Sequence, residues 1–227
     1  MSETLTLSSL PLFPLGTVLF PDGVLPLRIF EVRYLDMIGK CHKAGAPFGV
    51  VTLAQGAEVR RPGGGAEVFH SVGTLATITA LQTPQPGLMT IRCHGEQRFR
   101  ISSSRQLKHG LWIADVGRLD EDLTVPVPDD LKATADALER LLESLKARQT
   151  PDNAPPPLQG PMRFDDCGWL SNRWCEILPL PLELKQRLMQ LDNPLVRPFF
   201  AGARGRAAAT SREAHRDDPG EAPRQPE

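Results

Sequence analysis

The chain has 227 residues, room for one large domain or a domain with a smaller companion, and its 41% hydrophobic and 23% charged residues are ordinary globular usage. Lys plus Arg (26) nearly balances Asp plus Glu (27), so a formal net charge of -1 gives no overall field favouring DNA, RNA or an anionic membrane. Prolines and charges interrupt every apolar run before the ~20 residues that span a bilayer. The opening MSETLTLSSL lacks the basic start and apolar run of a signal peptide, and Cys41, Cys93, Cys167 and Cys175 lie far apart, so the expected protein is cytoplasmic with reduced thiols.

Residues 10–30, LPLFPLGTVLFPDGVLPLRIF, are apolar but carry prolines at 11, 14, 21 and 26, a spacing no helix tolerates. Short strands joined by turns fit instead, with Pro21, Asp22 and Gly23 as one turn. From Glu31 onward Tyr34, Leu35, Ile38 and Cys41 recur at helical spacing, and the run closes near Lys43 and Gly45. Runs rich in Val, Ile, Thr and Phe follow at 48–53, 68–81, 88–93, 97–101 and 111–116, separated by turn signals such as RPGGG at 61–65 and TPQPG at 83–87. A mostly antiparallel sheet or small barrel is the consequence.

After Asp120, Glu121 and Asp122 the pattern becomes helical. Leu131, Ala135, Leu138, Leu142 and Leu145 repeat at steps of four and three behind Asp129 and Asp130 as candidate N-caps. Residues 149–161, QTPDNAPPPLQGP, read as an exposed linker. Asp165 or Asp166 then caps a shorter helix with Cys167, Leu170, Trp174 and Ile177 on one face. A third helix starts near Pro181 and buries Leu184, Leu188 and Leu191 before Asn193 and Pro194 stop it. From Ala201 the apolar pattern vanishes, and 201–227 is expected to be a disordered tail. The organisation is thus a β-rich part over 1–122, a helical part over 123–200, and the tail.

Chemistry is sparse. Gly63 to Gly65 lack the Lys and hydroxyl residue of a phosphate loop, and no G-x-S-x-G elbow exists, leaving Ser102 to Ser104 at a strand end without a base. Cys41-His42 and Cys93-His94 are adjacent pairs whose side chains diverge, unlike the knuckle spacing of zinc sites, so no metal is expected. The acidic pairs suit helix capping. Arg98 and Arg100 alternate with Phe99 and Ile101 as a solvated strand face would, with no interleaved aromatic platform for RNA. No catalytic residue and no cofactor are expected.

The stretch LPLFPLGTVLFPDGVLPLRIFEVRYLDMI at 10–38 resembles the opening of the LON substrate-binding domain, the N-terminal domain of Lon proteases. The similarity continues through FGVVTL at 48–53, VGTLATI at 72–78, GEQRFRI at 95–101, LDED at 119–122 and LSNRWCEILPLPLELKQRL at 170–188. It implies an α+β fold, a PUA-like pseudobarrel of mostly antiparallel short strands followed by a small helical bundle. Arg28 departs from the His common in the family's H-I-F-E-x-R-Y motif, while Phe30, Glu31, Arg33 and Tyr34 match. Lon proteases continue into an ATPase module and a Ser-Lys peptidase, whereas this chain continues into a short polar tail, so the resemblance implies recognition of unfolded or extended polypeptide without cleavage, in the setting of a protease system. The expected peptide-binding residues are Phe13, Phe20, Arg28, Phe30, Glu31, Arg33 and Tyr34, with the cleft between barrel and helices. The competing expectation is RNA binding, since PUA-like folds serve RNA-modifying systems; balanced charge counts against it.

Overall fold

A computed structural model describes residues 6–59, 65, 67–147 and 161–192. The loop at 61–64, most of the proline-rich segment, the Asn193-Pro194 stop and the tail lie outside the described residues. The strands are β1 (Thr6–Leu15), β2 (Val24–Ile29), β3 (Phe48–Gln55), β4 (Val68–Gln85), β5 (Leu88–Gln106) and β6 (Trp112–Arg118). Their order is β2-β5-β4-β3-β1-β6, and β5 also pairs with β6, so five strands close into a ring and β2 lies outside it. All pairings are antiparallel except β1 with β3.

The two runs expected at 88–93 and 97–101 are a single strand, because β5 bends past Gly95 rather than stopping: its first part pairs with β2 and its last part with β6. A Cβ on Gly95 would lie 2.4 Å from the Phe20 carbonyl oxygen, so the turn before β2 can press onto the strand only where glycine stands. Ser102 to Ser104 are consequently interior to β5, where Ser103 donates to an Asp115 carboxylate oxygen at 3.0 Å.

The helix α1 (Val32–Ala44) ends as its sequence dictates: Gly45 takes the left-handed conformation (φ 61°) and its N–H reaches the last-turn carbonyls. Tyr34, Met37, Ile38 and Cys41 bury one face of it among Phe13, Phe48, Ile91 and Cys93, and the Tyr34 and Phe13 rings stack with centroids 4.0 Å apart. A second cluster, around Leu12, Leu75 and Phe99, fills the other part of the ring.

Helix α2 (Lys132–Ala147) follows a 3-10 turn at Asp129–Leu131. Neither Asp129 nor Asp130 is the cap of that turn. Pro128 holds the cap position, and Asp129 reaches Lys132 at 2.6 Å instead. Helix α3 (Cys167–Ile177) is capped by Asp166, whose carboxylate accepts the Gly168 N–H at 3.0 Å. Its Trp169 and Leu170 pack with Ala135, Leu138 and Leu142 of α2. Helix α4 (Leu182–Gln190) starts one residue after Pro181 and is rotated from the expected face: Gln186, Leu188 and Met189 are buried, whereas Leu184 and Leu191 are half-buried. The rotation lets Gln186 accept from the Thr52 hydroxyl at 2.6 Å and donate to the Val72 carbonyl at 3.0 Å, while Leu188 and Met189 join Phe20, Val18 and Cys175. The whole is an α+β fold in which helices α3 and α4 are seated on the ring.

Candidate functional site

The structure divides the seven expected binding residues into two groups. Phe13, Phe20 and Tyr34 are core residues, and Arg33 is buried beside them. Phe13 and Tyr34 pack inside the ring and Phe20 packs against Cys175, Leu188 and Met189 of the helices, so their side chains are turned away from the surface. The Arg33 guanidinium is fully engaged: Glu31 at 3.1 Å, Glu67 at 3.1 Å, the Gly110 carbonyl at 2.9 Å, and the Tyr34 ring at 4.5 Å. Glu31 therefore locks the corner between β2 and α1 through Arg33, not through Arg28. What remains at the surface is Arg28 and Phe30, with Phe30 54% exposed. Val32, absent from the expected group, is 81% exposed on the first turn of α1.

Arg28 belongs to β2, and among the described residues β2 pairs with β5 and no other strand. Its other edge is unpaired among those residues, and Pro26 stands on it, a position where proline is tolerated because no ladder hydrogen bond is demanded there. Leu25 and Leu27 pack against the core from one face of the strand, whereas Pro26 and Arg28 are exposed on the other. The corner thus presents an open strand edge followed within three residues by two exposed apolar side chains, Phe30 and Val32.

The second concavity is a cleft of about 380 Å³ between the ring and α3. Its charges are largely spent on one another. Arg98 pairs with Asp122 at 2.9 Å, and Arg163 pairs with Asp22 and, at 3.9 Å, with Asp166. Arg118 is an exception, its Nε buried without a hydrogen-bond partner.

Arg98 also corrects the expectation of a solvated arginine face on β5. It alternates with Phe99 as expected, yet its side chain is 3% exposed, because the end of α4 lies over it. It donates to the Met189 and Leu191 carbonyls, both at 3.0 Å, a cation at the negative end of that helix. Arg100, two residues on, stays exposed.

Arg173 does the same work on the other side of the seam. It is buried, donates to the carbonyls of Pro21 (2.7 Å) and Asp22, and meets Glu176 at 2.8 Å. Gly23 completes this contact, since a Cβ there would fall 2.3 Å from a Glu176 carboxylate oxygen. Burial pushes the Glu176 carboxyl up to about 8, with Arg173 and Lys185 opposing. The sequence carried one usable signal for these residues: Arg173 and Glu176 are spaced i, i+3 on a helix rich in apolar residues.

The four cysteines are buried and unbridged. Burial raises the Cys93 thiol to about 12, the opposite of what a nucleophile needs. Their neighbours His42 and His94 point elsewhere; His94 lies 3.8 Å from Asp22. Among the described residues no group of three His, Cys, Asp or Glu side chains stands close enough to hold a metal ion, and no helix is long and apolar enough to cross a membrane.

The family model described as the ATP-dependent protease La (LON) substrate-binding domain matches residues 9–197, and the chain belongs to that family. Among solved structures, the Lon N-terminal domain protein from Xanthomonas campestris is similar at 29% identity and a TM-score of 0.66, covering 87% of this chain and 98% of its own. The N-terminal domain of the Mycobacterium avium complex Lon protease shares the fold at 17% identity and a TM-score of 0.53, covering 85% and 95%. No curated protein matches the chain.

Proposed function

We propose that the protein is a non-catalytic polypeptide-recognition module of the cytoplasm, serving a protease system by holding extended, unfolded segments along the open edge of β2 and against Phe30 and Val32. The strand and corner belong to a β-rich part over 1–122, and the helical part over 123–200 braces it. The observation that carries this reading is the coincidence, at one corner, of an unpaired strand edge with two exposed apolar side chains, 54% and 81% accessible. Strand addition supplies affinity through main-chain hydrogen bonds and specificity through alternate side chains, and needs no reacting group. The fold of Lon substrate-binding domains supports it, as does the inertness of the buried thiols. The competing reading, RNA binding, rests on the PUA-like resemblance, and of the β5 arginines Arg98 is committed to the end of α4.

The test is binding of a reduced, carboxymethylated polypeptide by fluorescence anisotropy. Burying one large apolar side chain is worth about 1.5–3 kcal/mol, so replacing both Phe30 and Val32 with Asp should weaken binding at least tenfold while leaving the melting temperature unchanged. Equal affinity of wild type and variant overturns the assignment to this corner. Binding of RNA that is lost steeply with salt, with none of unfolded protein, overturns the function.

A further inference from the structure

The edge of β2 differs in chemistry between its two faces, and the difference selects a ligand. Along an antiparallel strand, residues that bond to the neighbour alternate with residues whose N–H and C=O point away. Gly95 donates its N–H to the Gly23 carbonyl at 2.8 Å, in phase with the pairs Leu25↔Cys93, Leu27↔Ile91 and Ile29↔Met89. Odd-numbered residues therefore face β5, and Val24, Pro26 and Arg28 face outward. The free edge offers the N–H groups of Val24 and Arg28 and the carbonyls of Val24, Pro26 and Arg28, none of them bonded elsewhere among the described residues.

Side chains sort with the same parity. On the core side, Ile29 is buried but Leu25 and Leu27 are only half-buried, and no strand lies on their outer side among the described residues. On the other side Pro26, Arg28 and Phe30 are exposed, and Arg92 stands across from Pro26 on β5. Arg28 makes no ion pair among the described residues, and Glu31, the acid nearest in sequence, is engaged by Arg33.

We propose that the β2 edge takes, as an added strand, an extended segment in which apolar residues alternate with Asp or Glu, the apolar side chains covering Leu25 and Leu27 and a carboxylate lying beside Arg28. This rests on the recognition function proposed above and narrows it to a substrate class. Directly opposed charges across strands are worth about 0.2–1 kcal/mol, a modest factor set on top of the main-chain pairing.

The experiment compares three labelled peptides of alternating Val-Glu, Val-Ser and Val-Lys against the full chain and its Arg28→Glu variant. Wild type should bind the Val-Glu peptide about threefold more tightly than Val-Ser, with Val-Lys weakest, and Arg28→Glu should invert the order. N-methylation of those peptide amides that face β2 should abolish binding, while methylation of the intervening amides should not. Equal affinity for all three peptides in both proteins overturns the substrate class and leaves the recognition function standing. Insensitivity to the position of methylation overturns strand addition. Failure to bind these peptides and the carboxymethylated polypeptide alike overturns the recognition function itself.

Discussion

Arg28 on β2 and Arg98 on β5 look alike in the sequence, each an arginine alternating with apolar residues on a strand, and they meet opposite fates. Arg98 is sealed under α4 and bonded to two helix-end carbonyls and Asp122; Arg28 stands in water beside a backbone edge with no strand partner among the described residues. A strand's polar face is solvated only when nothing is laid on it. In this molecule Arg98 and Arg173 spend most of their donors on carbonyls and carboxylates across the seam between ring and helices, which makes the seam a structural joint. The outward backbone groups of β2 meet no such partner among the described residues, which makes the edge available.

The strongest way to break that comparison is to remove each arginine in turn. Arg98→Ala strands the Asp122 carboxylate and the last carbonyls of α4, and losing one partner of a buried ion pair costs about 3–5 kcal/mol. Urea denaturation should show a loss of that size. Arg28→Ala should fall within about 0.5 kcal/mol of wild type, the range of surface substitutions. Equal losses would mean that the edge is as structural as the seam.

A smaller effect sharpens the seam itself. Glu176 has its carboxyl raised by burial from 4.5 to about 8. The folded protein thus holds a proton that the unfolded chain releases across that interval, so this contribution to stability is complete below pH 4.5 and is lost as pH rises through 8. The melting temperature should fall between about pH 5 and 9 through this linkage, and Glu176→Gln, which mimics the protonated form, should flatten the fall. An unchanged slope in the variant would show that Glu176 is ionised in the fold throughout.

The smallest effects contrast two aspartates that the sequence treats alike. Asp166→Ala removes a buried N-cap and should cost about 1 kcal/mol. Asp129→Ala removes an exposed partner of Lys132 and should leave the denaturation midpoint unchanged.

Much of the molecule was legible in the chain. The proline spacing of residues 10–30 forbids helix, the Pro21-Asp22-Gly23 turn forms where it is written, and α1 closes at Gly45, whose left-handed conformation lets its N–H reach the last carbonyls. The candidate site was legible only in part. Seven residues of one motif looked equivalent, yet Phe13, Phe20, Arg33 and Tyr34 turned inward while Arg28 and Phe30 stayed out, and nothing in their identities separates an aromatic needed for packing from one left at a corner.

The sequence by itself determined where strands give way to helices and limited the cap of α3 to Asp165 or Asp166, since these depend on dihedral preferences and on periods of two and 3.6 residues that act within a few positions. Only the tertiary structure decided which strand would be left at the edge and which arginine would be covered. Both follow from β5 changing partners past Gly95, from β2 some sixty to seventy positions before it to β6 close behind it, and from α4 coming to rest on Arg98 some ninety positions away, and no local pattern records where a distant helix will settle.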